Sequence, residues 1–220
     1  MNCITPKKRT DGRSSFLQLV AYISVRDENS PSDEVKNAPT PNQRATTKAK
    51  LFNRLIDYIE RTPIPESDVI LEEFPDGRQR VKCGEVVCET NCFSLETASA
   101  EMNFVAGQST RCEDPVYHFI LSWREEDNPR DSDIFECVTH SLEKLGMAEH
   151  QYVSAIHRDT DNVHVHVAVN RVNPQTYKAA SLWKNYDTLQ KCCRELEARY
   201  GYTPDNGSWV RNEQNEIVRA

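Results

Sequence analysis

Three of the six histidines fall within ten residues, in His157-Arg158-Asp159-Thr160-Asp161-Asn162-Val163-His164-Val165-His166. His164 and His166 alternate with Val163, Val165, Val167 and Val169, the period of a β-strand whose successive side chains point to opposite faces. The valines share one face and can pack on a core; His164, His166, Ala168 and Asn170 share the other. Two imidazoles two residues apart on one strand face sit about 7 Å apart at Cα. That lets them converge on one metal ion at about 2.1 Å per bond. The polar run Arg158 to Asn162 is a hairpin turn by composition, so His157 ends the preceding strand, Tyr152 to Ile156. Paired with an even-numbered partner such as His164 or His166, His157 joins the same face. Three neutral nitrogen donors with open positions suit a Lewis acid that polarises a phosphoryl or carbonyl oxygen. A structural ion calls for a fourth protein ligand, commonly Cys, and none follows. Asp159 can orient an imidazole or take a proton, and Asn162 and Thr160 can close the turn.

The rest of the chain must hold this hairpin. With 220 residues, 38% hydrophobic and 28% charged, it can build one sizeable core. No stretch approaches the roughly 18 apolar residues of a membrane span, and the N-terminus lacks a secretory h-region. Eight cysteines at irregular spacings fit reduced thiols in a cytosol; Cys83, Cys88 and Cys92 match no common zinc ribbon. The net charge of −7 opposes phosphate binding unless bases cluster locally, as at Lys7 to Arg13 and Arg44 to Arg54.

Residues 1–13 read as an extended basic arm. Phe16, Leu19, Val20 and Ile23 mark an amphipathic helix, with Tyr22 at the flank of its apolar stripe; taken alone, such a tyrosine packs at a boundary. Residues 27–48 are polar and proline-interrupted, a flexible loop. Leu51 to Ile59 form a second helix, and residues 69–87 a β-hairpin about Pro75-Asp76-Gly77-Arg78. Ser94 caps a helix to about Ala106, and Val116 to Trp123 is a central strand on which His118 can face the histidine site or bond within the core. Asp131 or Ser132 opens a helix closed by Gly146. A last helix spans about Leu182 to Tyr200, and the tail from Thr203 shows no period. The order implies an α+β layer, an antiparallel sheet with helices largely on one face.

The sequence His157-x-Asp159-x-x-Asn162-x-His164-x-His166-x-x-x-Asn170 resembles the histidine motif of plasmid mobilisation relaxases of the HUH (His-hydrophobe-His) endonuclease superfamily, nearest the NikB/MobA type of the MOBP class. Gly12-Arg13-Ser14-Ser15-Phe16, Leu19 and Tyr22 to Arg26 resemble their first motif, whose tyrosine is the nucleophile. Tyr117 to Trp123 and Gly146 to Ala155 are similar in order and spacing, and the likeness continues through Pro204 to Arg219.

The resemblance implies a five-stranded antiparallel sheet flanked by helices, with the histidine hairpin at its centre. It implies one nicking domain over residues 1–220, with a flexible loop at 27–48 and an inserted helix and hairpin at 49–90, at the front of a longer protein. Tyr22 would attack the scissile phosphate at the nick site of an origin of transfer, giving a 5′-phosphotyrosyl link and a free 3′-OH. His157, His164 and His166 would hold a divalent ion, Mg²⁺ or Mn²⁺, or a transition metal such as Zn²⁺ in vitro; Asp159 or His157 would be the base. DNA contacts are expected at Arg13, Asn162, Asn170 and a second motif at Ser109, Thr110 or Cys112. The implied partners are single-stranded origin DNA with a hairpin upstream of the nick, a ribbon-helix-helix accessory protein and a type IV secretion coupling protein. The implied location is the bacterial cytoplasm, with transfer to the recipient on the DNA. Two readings compete: a rolling-circle replication initiator, with Tyr186 or Tyr200 as nucleophile after the motif, and a metal-stabilised DNA-binding regulator without catalysis.

Overall fold

The computed structural model describes residues 1–6, 16–24, 68–158 and 160–220. The expected loop at 27–48, the helix at Leu51 to Ile59, Arg13 and Asp159 lie outside the described residues. For Leu17, Gln18, Tyr22 and Asp68 only the backbone is described.

Seven strands form one antiparallel sheet: β1 (Asn2–Ile4), β2 (Asp68–Glu73), β3 (Gln79–Cys83), β4 (Val86–Thr90), β5 (Val116–Ser122), β6 (Tyr152–His157) and β7 (His164–Asn170), in the order β1-β5-β7-β6-β4-β3-β2. The sheet is thus wider than the expected five strands. At one edge β1 pairs with β5, in a segment expected to be part of an extended basic arm; at the other, β3 and β2 continue from β4. The run 79–87 is not one strand, because Gly84 takes φ 58° and turns the chain back at Cys83↔Val86. The histidine hairpin β6–β7 does lie centrally, flanked by β4 and β5.

Helices cover both faces, a departure from the one-sided layer expected. The valines of β7 point into a core with Phe119, Leu121, Trp123 and Ile156, closed by α3 (Asp131–Lys144) and α4 (Asn185–Tyr200). The face that carries the histidines is largely apolar along the rest of its length. There Val81, Cys88, Val153, Ala155 and Ala168 meet Phe16, Val20 and Ile23 of α1 (Phe16–Ser24) and Leu95, Ala98 and Met102 of α2 (Leu95–Ala106). Small residues such as Ala155 and Ala168 on the strands let these helices approach, so an apolar layer forms where the alternating pattern suggests a polar face. Ser94 caps α2 as its sequence implies, its hydroxyl accepting from the Thr97 amide at 3.2 Å.

The tail is also ordered. β8 (Trp209–Arg211) and β9 (Ile217–Arg219) form a separate hairpin against α4, where the Trp209 indole donates to Asp187 at 3.1 Å. Under it the α-ammonium of Met1 donates to Glu197 at 3.0 Å in a buried ion pair that Arg194 completes. No helix among the described residues is long and apolar enough to cross a membrane.

Candidate active site

The antiparallel register builds the site. His157 stands opposite His164, and His166 stands between Ala155 and Ile120, so three imidazoles rise from one end of one sheet face. Their ring centroids are 4.8–5.3 Å apart, and one nitrogen from each lies within 4.8 Å of the others. Among the described residues this is the one cluster of three or more His, Cys, Asp or Glu that could hold a metal ion. His157 and His166 are buried and His164 is half-buried.

Hydrogen bonds set each ring. The Nδ1–H of His164 donates to the Asn162 carbonyl at 3.0 Å, which turns the Nε2 lone pair away from the turn. Thr160 donates to the same carbonyl at 2.9 Å and so ties the turn to the ring. Asn162 is exposed beside the site. His166 Nδ1 lies 3.0 Å from His118 Nε2, the two rings stacked with centroids 5.2 Å apart. Burial, and then the neighbouring imidazoles, push the His166 pKa down to about 3; burial lowers His118 to about 4. Both are therefore neutral at pH 7, the form in which imidazole binds a metal. The donor set fits a divalent ion: one imidazole nitrogen from each of three histidines converges, and the rings are held by bonds from outside the cluster.

The third bond reaches another element. His157 Nε2–H donates to the Ile23 carbonyl at 2.7 Å, in a buried contact across 134 positions. Ile23 follows Tyr22 on α1, so the helix that carries the candidate nucleophile ends on a triad histidine. This carbonyl is the functional group missed in the sequence, which carries no signal for a backbone acceptor. Beside it the Ser24 hydroxyl is buried and has no hydrogen-bond partner among the described residues.

Other candidates lie elsewhere. Asn170, expected at the DNA, is fully buried. Its amide donates to the Met102 carbonyl at 3.0 Å and the Gln151 side chain at 3.1 Å, and its oxygen accepts from Val172 N. It joins the end of β7 to α2, with both amide protons and one lone pair of the oxygen committed inside the fold. His150 supports the same corner by donating to the Asn170 carbonyl at 2.8 Å. Ser109 and Thr110 follow α2, in the loop before β5. Val116 of β5 pairs with Asn170, so that loop approaches the end of β7 opposite His164, about 20 Å away at strand rise. Tyr186 and Tyr200 belong to α4, on the face away from the histidines. Their hydroxyls bond to Gln190 and Glu136.

A family model for the nuclease domain of MobA/VirD2-like relaxases matches residues 71–202. Protein MobA of Acidithiobacillus ferrooxidans is 33% identical over 115 residues, 51% of this chain and 28% of that protein. Two TraI proteins of Escherichia coli are 36% and 33% identical over 121 and 120 residues, 54% and 53% of this chain and 16% of each relative. The alignments thus cover well under half of these relatives' length. No solved structure matches the chain. The match over 71–202 takes in the histidine hairpin and five of the seven strands whole, and on that ground the chain belongs to the MobA/VirD2-like relaxase nuclease-domain family.

Proposed function

We propose that the chain is the nicking domain of a site- and strand-specific relaxase, which cleaves single-stranded DNA at an origin of transfer to start and end conjugative transfer. The observation that supports this most is the 2.7 Å bond from His157 to the Ile23 carbonyl, which brings the helix of Tyr22 to the histidine cluster. Family membership supports the same reading.

In this mechanism the Tyr22 phenolate attacks the scissile phosphorus. One P–O bond forms to the tyrosine and the P–O3′ bond breaks; the leaving 3′-oxygen takes up a proton. The product is a 5′-phosphotyrosyl strand and a free 3′-OH, and the retained ester allows rejoining without ATP. A phenol with pKa near ~10 needs a base, a role that falls to Asp159 or His157. A divalent ion, Mg²⁺ or Mn²⁺, held by His157, His164 and His166 would polarise a phosphoryl oxygen and offset charge developing on it. The Asn162 carbonyl orients the His164 ring, and Thr160 stiffens the turn. Asn162, Arg13, Ser109 and Thr110 are proposed DNA contacts. The negative net charge makes local placement of bases the source of phosphate affinity.

At the level of the whole protein we propose action in a bacterial cytoplasm on origin DNA with a hairpin upstream of the nick. A ribbon-helix-helix accessory protein would load it, and a type IV secretion coupling protein would pass it to the recipient on the DNA. The replication-initiator reading loses support, because Tyr186 and Tyr200 lie on a helix packed against the opposite face. The test is incubation with single-stranded origin DNA and Mn²⁺. Wild-type protein is expected to form a covalent adduct on denaturing gels, and Tyr22→Phe none. An adduct of equal yield in Tyr22→Phe sinks the assignment.

A further inference from the structure

We propose that His118 is a positioning residue of the metal site, which fixes the tautomer and ring plane of His166. The inference rests on the reading of His157, His164 and His166 as metal ligands. His118 lies on β5, paired with Ala168, and Ile120 of the same strand is paired with His166. The two rings are diagonal neighbours on adjacent strands of one face. They stack at 21° with Nε2 of His118 3.0 Å from Nδ1 of His166. The β5–β7 ladder runs unbroken from Val116↔Asn170 to Ser122↔His164, so both Cα positions are held by the sheet.

Between two neutral imidazoles this bond admits two proton arrangements. In one, His118 Nε2–H donates to His166 Nδ1; the His166 proton then sits on Nε2, and its lone pair is spent on His118. In the other, His166 Nδ1–H donates to His118 Nε2, and the ring's lone pair falls on Nε2, the nitrogen an ion would take. Only the second is compatible with ligation, so an ion selects it and places the His118 proton on Nδ1. The partner that commonly receives a ligand imidazole's proton is a carboxylate or a carbonyl. A neutral imidazole in that place pulls less electron density into His166. More of the ion's charge stays available to a phosphate oxygen, which suits Lewis-acid chemistry.

The test uses the full chain without DNA. Calorimetric titration with Mn²⁺ compares wild type, His118→Phe, which keeps the ring volume and removes the acceptor, and His118→Gln, whose amide oxygen can stand in for Nε2. We expect His118→Phe to bind roughly 10–100-fold more weakly, the usual cost of losing such a partner, and His118→Gln to recover most of that loss. Imidazole ¹⁵N shifts of the Zn²⁺-bound wild type should show a proton on His166 Nδ1 and none on His118 Nε2. Binding of His118→Phe within twofold of wild type, or a proton on His118 Nε2 in the metal-bound form, overturns the proposal. If His118→Phe does not fold, the ¹⁵N shifts of the wild type decide alone. A wild type that takes up no metal removes the three-histidine site and this role together. Failure of the Tyr22 adduct alone leaves the metal titrations standing.

Discussion

The two faces of the central sheet are built to different ends. Behind β7, Val165, Val167 and Val169 meet Phe119, Leu121, Trp123 and Phe135 in a continuous apolar layer beneath α3 and α4. In front, the same strands change character along their length: Val153, Ala155 and Ala168 take the weight of α1 and α2, and His157, His164 and His166 cluster at one end, the first and last buried and His164 half-buried. One face is given wholly to stability, and the other is divided between anchoring helices and holding chemistry. The division works because β-strand alternation lets each of His164 and His166 sit between two valines that pack on the core, so the proposed ligands inherit the rigidity of the face behind them.

The comparison breaks if the faces respond alike to mutation. The largest expected effect on stability is behind the sheet. Phe119→Ala should cost about 3–5 kcal/mol in chemical denaturation, the range for emptying a core aromatic site, with adduct yield per folded molecule unchanged. A selective loss of adduct in the folded fraction would show that the back face does more than support. Asn170→Ala, at the anchoring end of the front face, should cost about 1–3 kcal/mol, because the Met102 carbonyl and the Val172 amide lose their partner without water to replace it. Retained single-stranded DNA affinity in that variant would fit its burial; a specific loss of affinity with normal stability would restore it to the DNA site. At the chemical end the balance reverses. His164→Ala should change stability by less than about 1 kcal/mol, as a partly exposed side chain, yet weaken Mn²⁺ binding more than roughly 100-fold, beyond the loss expected for an outer partner. Smallest is Arg158→Ala: its pairing with Asp131 joins two groups each 40% exposed, and its loss should shift stability by no more than about 1 kcal/mol.

The functional end of the front face was legible because its information is local. A period-2 run, a polar turn and the register they impose bring His157, His164 and His166 together without reference to the rest of the chain. His118 could be placed near them by its even position on an apolar strand. The covered half of the same face was not legible. Ala155, Ala168 and Cys88 carry too little apolar signal to announce two helices packed on them; their smallness is itself what admits the helices. β1 was invisible for another reason: three residues before Thr5 and Pro6 have no period, and their strand exists only through pairing with β5 more than 100 positions away. The β8–β9 hairpin depends likewise on α4, through Trp209, Asp187 and Lys191. The burial of Asn170 was not legible because a motif position does not say which way an amide is used.

The central claim is that the end of α1 and the histidine cluster form one nicking centre. Its most direct measurement is the site of covalent attachment. Wild-type protein reacted with single-stranded origin DNA and Mn²⁺, digested with nuclease and trypsin, should yield the peptide from Ser14 to Arg26 carrying a residual nucleotide on Tyr22 in tandem mass spectra. Attachment at Tyr186, Tyr200 or any residue outside α1, with the Ser14–Arg26 peptide recovered unmodified, would contradict the account.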